Sequence, residues 1–327
     1  MTVLVTGGAG YIGSHMVYAL KDRGLEVVVL DNLSTGVRAL VAPGTDFVQG
    51  HAGDIALVRR LLNGRKVKAV LHFAGSIVVP ESVTNPLFYY ANNTATSRTL
   101  IEACVAEGVK NFIFSSTAAV YGLPDRNPVD ETTAQAPINP YGRSKLMTEW
   151  MLEDTARAHD FNYVALRYFN VAGADPKGRT GQSTPRATHL IKRACQVALG
   201  RAPQLEIFGT DFPTKDGTGV RDYIHVSDLI AAHALALDHL SDGGKSLTLN
   251  CGYGHGFSVR EVIDAVSRRA GHPLPVRMAP RRLGDAPELV ADANLLRGKF
   301  AWRPAHDDLD DIVTTAYEWE RRLNSAD

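Results

Sequence analysis

A strand-like run, Thr2-Val-Leu-Val-Thr6, leads directly into Gly7-Gly8-Ala9-Gly10-Tyr11-Ile12-Gly13 and then into a helical pattern over 12–23. Glycines at 7, 10 and 13, or equally at 8, 10 and 13, permit a tight turn and a close approach of backbone amides to a bound group. The helix start behind them favours negative charge. A strand, a glycine turn and a helix in this order form the opening of a parallel strand–helix–strand crossover. The next apolar run, Val27-Val28-Val29-Leu30, ends on Asp31. An acid at that place bonds a ribose 2′-hydroxyl and repels a 2′-phosphate, so turn and acid together read as a site for NAD rather than NADP. Gly7, Gly10, Tyr11, Ile12, Gly13, Asp31 and Asn32 are the first cofactor candidates. Asp54 and Ile55 are placed to frame the adenine, and Phe73, Ala74 and Gly75 to lie on the adenosine side.

The same alternation continues. Strands are predicted at 2–6, 26–30, 46–49, 67–73, 110–116 and 163–168, and helices at 12–23, 54–62, 86–107 and 141–158. Runs apolar on both faces, such as Val27-Val28-Val29-Leu30 and Phe112-Ile113-Phe114, suit strands covered by helices on two sides. The fold class is α/β: a doubly wound parallel sheet (Rossmann) with a smaller C-terminal substrate-binding lobe. After Asn170 the rhythm loosens, with Gly, Pro, Asp and Lys filling 173–186 and 209–219 and a helix near 187–199. A strand at 247–250 is expected to return to the sheet, followed by helices at 258–270 and 309–323. Residues 1–172, rejoined by part of 220–252, form the NAD-binding domain of this reading, and 173–327 mainly the lobe for substrate.

Composition removes several classes. Thirty-five basic residues balance thirty-five acidic ones, so no overall field draws the chain to nucleic acid or to an anionic membrane. No run of 18 apolar residues is present, which speaks against a membrane span. Cys104, Cys195 and Cys251 form no C-x-x-C pair, and the eleven histidines form no H-E-x-x-H; neither disulfides nor a metal is expected, and the setting reads as cytoplasmic. The sequon Asn92-Asn93-Thr94 is then idle.

Tyr141-Gly-Arg-Ser-Lys145 puts a phenol and an ammonium on one helix face. A free Tyr titrates near ~10; a neighbouring Lys and a cationic nicotinamide both favour the phenolate and make it a usable acid/base. Phe114-Ser115-Ser116-Thr117 ends the fifth strand, at the edge where such sheets bind ligands. These residues over the glycine turn resemble the extended short-chain dehydrogenases/reductases, and within them the UDP-glucose 4-epimerase family. The likeness runs along the chain through HFAG (72–75), Glu81-Ser82, Asn92-Asn93, FSSTAAVYG (114–122), PYGRSK (140–145), LRYFNVAGADP (166–176), DGTGVRDYIHVSD (216–228) and APRRLGD (279–285).

The resemblance implies roles at matching positions. Tyr141 is the acid/base, Lys145 tunes it and holds the nicotinamide ribose, and Thr117 bonds the sugar O4. Asn92, Ser115 and Tyr168 join the cofactor set. Asn170, His189, Leu190, Arg221, Arg282 and Asp285 hold the UDP part, Phe208 lies beside the uracil, and Leu289 gates the sugar. Two guanidiniums matched to a diphosphate suit a protein with no net charge. The implied reaction is reversible C4 epimerisation of UDP-galactose and UDP-glucose through a transient 4-keto sugar, on tightly held NAD, in a homodimer joined through helices near 92–107 and 142–158. Leu100, Ile101, Val105, Met147 and Met151 are candidates for that face or for the core. A 4,6-dehydratase would need an acid pair after Thr117, where Ala118 and Ala119 stand. Epimerisation of UDP-xylose/UDP-arabinose or UDP-glucuronate, a dehydrogenase that releases NADH, and a non-catalytic NAD sensor remain as alternatives. Ile77, where a Lys is common, and His189, where an Asn is common, depart from the family pattern.

Overall fold

The computed structural model describes residues 1–184, 188–282 and 285–324. Its first half runs β1 (Thr2–Thr6), α1 (Tyr11–Asp22), β2 (Glu26–Asp31), β3 (Asp46–Gln49), α2 (Ile55–Gly64), β4 (Val67–His72), α3 (Val79–Thr84), α4 (Pro86–Tyr89), a π-helical turn (Tyr90–Ala95), α5 (Thr96–Ala106), β5 (Asn111–Ser115), α6 (Pro140–Ala158) and β6 (Asn162–Tyr168). The second half contains β7 (Asn170–Ala172), α7 (Leu190–Ala198), β8 (Leu205–Phe208), β9 (Val220–Arg221), β10 (Tyr223–His225), α8 (Val226–Ser241), β11 (Leu247–Cys251), β12 (Phe257–Ser258), α9 (Val259–Ala270), β13 (Val276–Ala279), β14 (Glu288–Leu289), α10 (Asn294–Phe300) and α11 (Leu309–Asn324).

Seven strands form one sheet in the order β3-β2-β1-β4-β5-β6-β11, every neighbouring pair parallel. The chain winds outward from β1 to β3 and then restarts at β4 on the other side of β1. That reversal opens a crevice at the carboxyl ends of β1 and β4. One face of the sheet packs Val3, Val5, Leu71, Ile113 and Leu166 against Met16 and Leu20 of α1 and Leu229 and Leu237 of α8. The other packs Leu4, Val70 and Phe114 against Leu62 of α2, Leu100 of α5 and Leu152 of α6. Each such side chain stabilises the fold by about 1.5–3 kcal/mol, and two buried faces explain why the strands carry no polar alternation.

Four local differences from the sequence expectation stand out, two of them with a clear physical cause. The long helix expected over 86–107 is broken by the π-helical turn, where Asn92 and Asn93 turn their amides back onto Ser76. Helix α3 precedes it, unforeseen. Helix α8 was also not foreseen: Leu229 to Leu237 is apolar at nearly every position because the helix is buried broadly, so no amphipathic stripe marks it. The helix expected from 187 begins at Leu190, with His189 as its N-cap; residue 187, and Leu283 and Gly284 of the APRRLGD stretch, lie outside the described residues. Leu100 and Ile101 are core, and Val105 and Met151 pack against it, leaving Met147 exposed beside Trp150 on α6. Among the described residues no helix is long and apolar enough to cross a membrane. All three cysteines are free and buried.

Candidate active site

The glycine turn is shaped by contact. A Cβ on Gly13 would lie 2.1 Å from the Gly7 carbonyl oxygen, so only glycine lets α1 start there. Gly10 N–H donates to that same oxygen at 3.1 Å. Gly10 caps α1 without a side chain, so the first amides of the helix, at Tyr11 and Ile12, are open toward the crevice for an anion. Asp31 is buried beside the turn; its Oδ2 accepts from Ala9 N–H at 2.9 Å and its Oδ1 from Leu33 N–H at 2.8 Å. An open helix N-terminus with a buried carboxylate alongside fits the diphosphate and ribose of a dinucleotide. Tyr11 sends its hydroxyl to the Gly173 carbonyl at 2.6 Å, tying the turn to the second half of the chain.

Across the crevice, Phe73 N–H donates to Thr6 O at 3.0 Å and aligns the Phe73-Ala74-Gly75 segment beside the glycine turn. Asn93 holds the next residue, accepting from Ser76 N–H at 2.8 Å and donating to Ser76 O at 3.0 Å. Asn92 donates to Ser76 Oγ at 2.8 Å. Asp54 serves as N-cap of α2, accepting from Leu57 N–H at 3.0 Å, and Ile55 beside it is exposed. Asn32 accepts from Ser34 N–H at 3.0 Å.

Tyr141, Lys145 and Thr117 are all buried. Asn139 caps α6 through Gly142 N–H at 2.9 Å. A Cβ on Gly142 would lie 2.6 Å from the Ala119 carbonyl oxygen, so glycine lets the helix press against the turn that follows Thr117. That contact brings Tyr141 to Thr117, whose side chain acts on the phenol. Burial raises the phenol above its ordinary range, and the Thr117 side chain opposes the rise. Lys145 points elsewhere: its Nζ donates to Ser115 O at 2.9 Å. Burial lowers the ammonium to about 8, with Glu149 acting in the opposite sense. The Ser115 hydroxyl and the Tyr168 phenol share a hydrogen bond of 2.7 Å.

The second half brings two further groups together. Asn170, His189 and Leu190 line one cavity with Gln182 and Lys192; burial lowers the His189 imidazole, and Lys192 lowers it further. Asp285 lies between two guanidiniums, accepting from Arg282 Nε at 2.8 Å, with Arg221 Nη2 at 4.0 Å. The Arg282 guanidinium lies 4.9 Å over the Phe208 ring. Burial lowers the Arg221 pKa, and Asp285 opposes that. Leu289 is in register with Arg221 across the β14–β9 pair. Sequence reasoning did not single out Asn93, Glu149 or Arg167; the Asn92-Asn93 doublet was in view, but nothing in the sequence says which of the two faces inward.

The profile of the NAD dependent epimerase/dehydratase family matches residues 3–252. A UDP-glucose 4-epimerase of Azospirillum brasilense is 57% identical over 324 residues, 99% of this chain and 93% of that protein. The crystal structure of UDP-glucose 4-epimerase from Brucella ovis in complex with NAD superposes with a TM-score of 0.94 at 46% identity, covering 98% of both chains. That of the Bifidobacterium longum UDP-glucose 4-epimerase in complex with NAD+ and UDP gives a TM-score of 0.94 at 37% identity over 100% of both. The chain belongs to the NAD dependent epimerase/dehydratase family, among its UDP-glucose 4-epimerases.

Proposed function

We propose that the protein reversibly inverts C4 of UDP-galactose and UDP-glucose through a 4-keto sugar, with NAD held throughout. The observation that carries this reading is the buried Tyr141–Thr117 pair at the carboxyl end of β5, with Lys145 one helical turn behind the phenol. Thr117 bonds the sugar O4, and Tyr141 takes the proton of the C4 hydroxyl. NAD, when bound, supplies the hydride acceptor and a positive ring that favours the phenolate. Tyr141 returns the proton once C4 is reduced from its other face.

Arg221 and Arg282 meet the diphosphate, with Asp285 setting their geometry. Asn170, His189, Leu190 and Phe208 complete the hold on UDP, and Leu289 borders the sugar. Binding energy at this remote handle retains the keto sugar while it turns. Gly7, Gly10, Tyr11, Ile12, Gly13, Asp31 and Asn32 hold the cofactor from one side, and Asp54, Ile55, Phe73, Ala74, Gly75, Asn92, Ser115, Tyr168 and Lys145 from the other. The reading assigns 1–172, rejoined by part of 220–252, to NAD and 173–327 mainly to the UDP-sugar. A homodimer joined through the helices near 92–107 and 142–158, where Met147 stands exposed, belongs to it, as does a cytoplasmic setting, in keeping with three unpaired cysteines.

The test is to incubate the purified protein with UDP-galactose and no added cofactor. Formation of UDP-glucose without net NADH is expected. Turnover of UDP-xylose or UDP-glucuronate alone would change the substrate, and no turnover of any UDP-sugar would reject the reading.

A further inference from the structure

A buried acid lies one helical turn beyond Lys145 and takes no part in the steps above. Tyr141, Lys145 and Glu149 follow one another at four-residue spacing on α6 and so share a face. The Glu149 carboxylate accepts from Arg167 of β6, by Nε at 3.1 Å to each oxygen and by Nη2 at 2.6 Å to Oε2. Ser116 Oγ donates to its Oε1. Ser116 stands between Ser115, whose carbonyl receives the Lys145 ammonium, and Thr117, whose side chain acts on Tyr141. The strand end is thereby tied to the catalytic helix at three successive residues. Arg167 also donates to the Tyr121 hydroxyl at 3.0 Å, and Tyr121 to Asn250 Oδ1 at 2.7 Å.

Replacing a buried ion pair with apolar residues of similar volume is often neutral or stabilising. Bulk stability is therefore a poor reason for a charge pair at this place. We propose that Glu149 is a positioning residue: it locks the Ser115–Thr117 strand end onto the helix of Tyr141 and Lys145, and it sets a buried negative charge beside the Lys145 ammonium. The proposal rests on the epimerase reading of this site.

The groups around Lys145 are few. From α6 it faces Glu149, and from β5 the Ser115 carbonyl and the Phe114 ring, 4.9 Å away. From β4 it faces His72, which burial holds neutral, and from the next loop Gly75. Glu149 in turn faces Arg167, Ser116 and Tyr163. Of these, Glu149 favours the charged ammonium against burial. Without its charge Lys145 should lose its proton at a lower pH.

The experiment compares the holoenzyme with Glu149→Gln, Glu149→Asp and Ser116→Ala. It measures kcat and KM for UDP-galactose across pH, and the Lys145 titration by lysine ¹³C NMR. In Glu149→Gln the alkaline limb of kcat and the Lys145 titration should move down together by about one pH unit, with KM within about threefold of wild type. Glu149→Asp should keep the limb in place even with a lower kcat. Ser116→Ala, which keeps the ion pair, should lower kcat about tenfold without moving the limb. An unmoved limb and titration in Glu149→Gln, or wild-type kcat in Ser116→Ala, would overturn the proposal. If Glu149→Gln does not fold, the Ser116→Ala result decides. A wild-type protein inert toward UDP-galactose sinks the epimerase reading instead, while the NMR titration still judges Glu149.

Discussion

Lys145 Nζ donates to the carbonyl oxygen of Ser115 at 2.9 Å, joining residues 30 apart in sequence. The contact aims the ammonium at the backbone of the strand end rather than at the Tyr141 phenol, which burial raises and Thr117 lowers. Lys145 thus acts on the site by holding β5 and by contributing charge from behind, and the phenol depends on Thr117 and the bound cofactor for its acid/base role.

Tyr141→Phe removes the proton carrier and leaves the UDP contacts. We expect a loss of ~10³-fold in kcat with UDP-galactose binding preserved. Steady-state kinetics beside calorimetric binding decides it, and near-normal turnover would contradict the mechanism.

Asp31→Ala removes an acceptor for Ala9 and Leu33 amides as well as the charge that repels a 2′-phosphate. Discrimination between NAD and NADP should weaken, read as the ratio of their dissociation constants. An unchanged ratio would take Asp31 out of the ribose site.

Arg221→Met should raise the KM for UDP-galactose by about tenfold to hundredfold, the range for losing a charge-assisted hydrogen bond, with a smaller effect on kcat. Equal losses in kcat and kcat/KM would instead assign Arg221 to the transition state.

Leu289 stands in register with Arg221 and packs against the cluster of Ala118, Val120, Tyr121 and Phe169. Its bulk is intermediate, so UDP-N-acetylgalactosamine should turn over slowly and Leu289→Ala should speed it. Equal wild-type rates on the acetylated and plain sugars would count against this gate.

Four buried histidines resist charging. Burial is the main cause, taking His15 and His233 to about 4 and His72 and His225 to about 3, from an ordinary 6.5. The unfolded chain binds these protons and the folded chain does not. Their contribution to stability is therefore complete above pH 6.5 and is lost as pH falls through 4 to 3. The melting temperature should therefore fall progressively as pH drops from 6.5 toward 3, and a flat profile down to pH 4 would refute it.

Local chemistry determined much of this protein. The Gly7–Gly13 turn, Asp31 at the end of β2 and the one-face spacing of Tyr141 and Lys145 are legible because each depends on neighbours within a turn or a strand. The doubly wound sheet follows from apolar runs alternating with helices. What only the tertiary structure decided lies between distant residues. The Lys145–Ser115 bond, the Glu149–Arg167 pair beneath Ser116, the placement of Asp285 between Arg221 and Arg282, and the choice of Asn93 as the inward amide all arise when separate elements pack. Helix α8 was hidden for a related reason, since burial on nearly every side erases the stripe that marks a helix. Burial also set the titration of Tyr141, Lys145 and the histidines, and desolvation depends on the whole surrounding core rather than on any residue's neighbours in sequence.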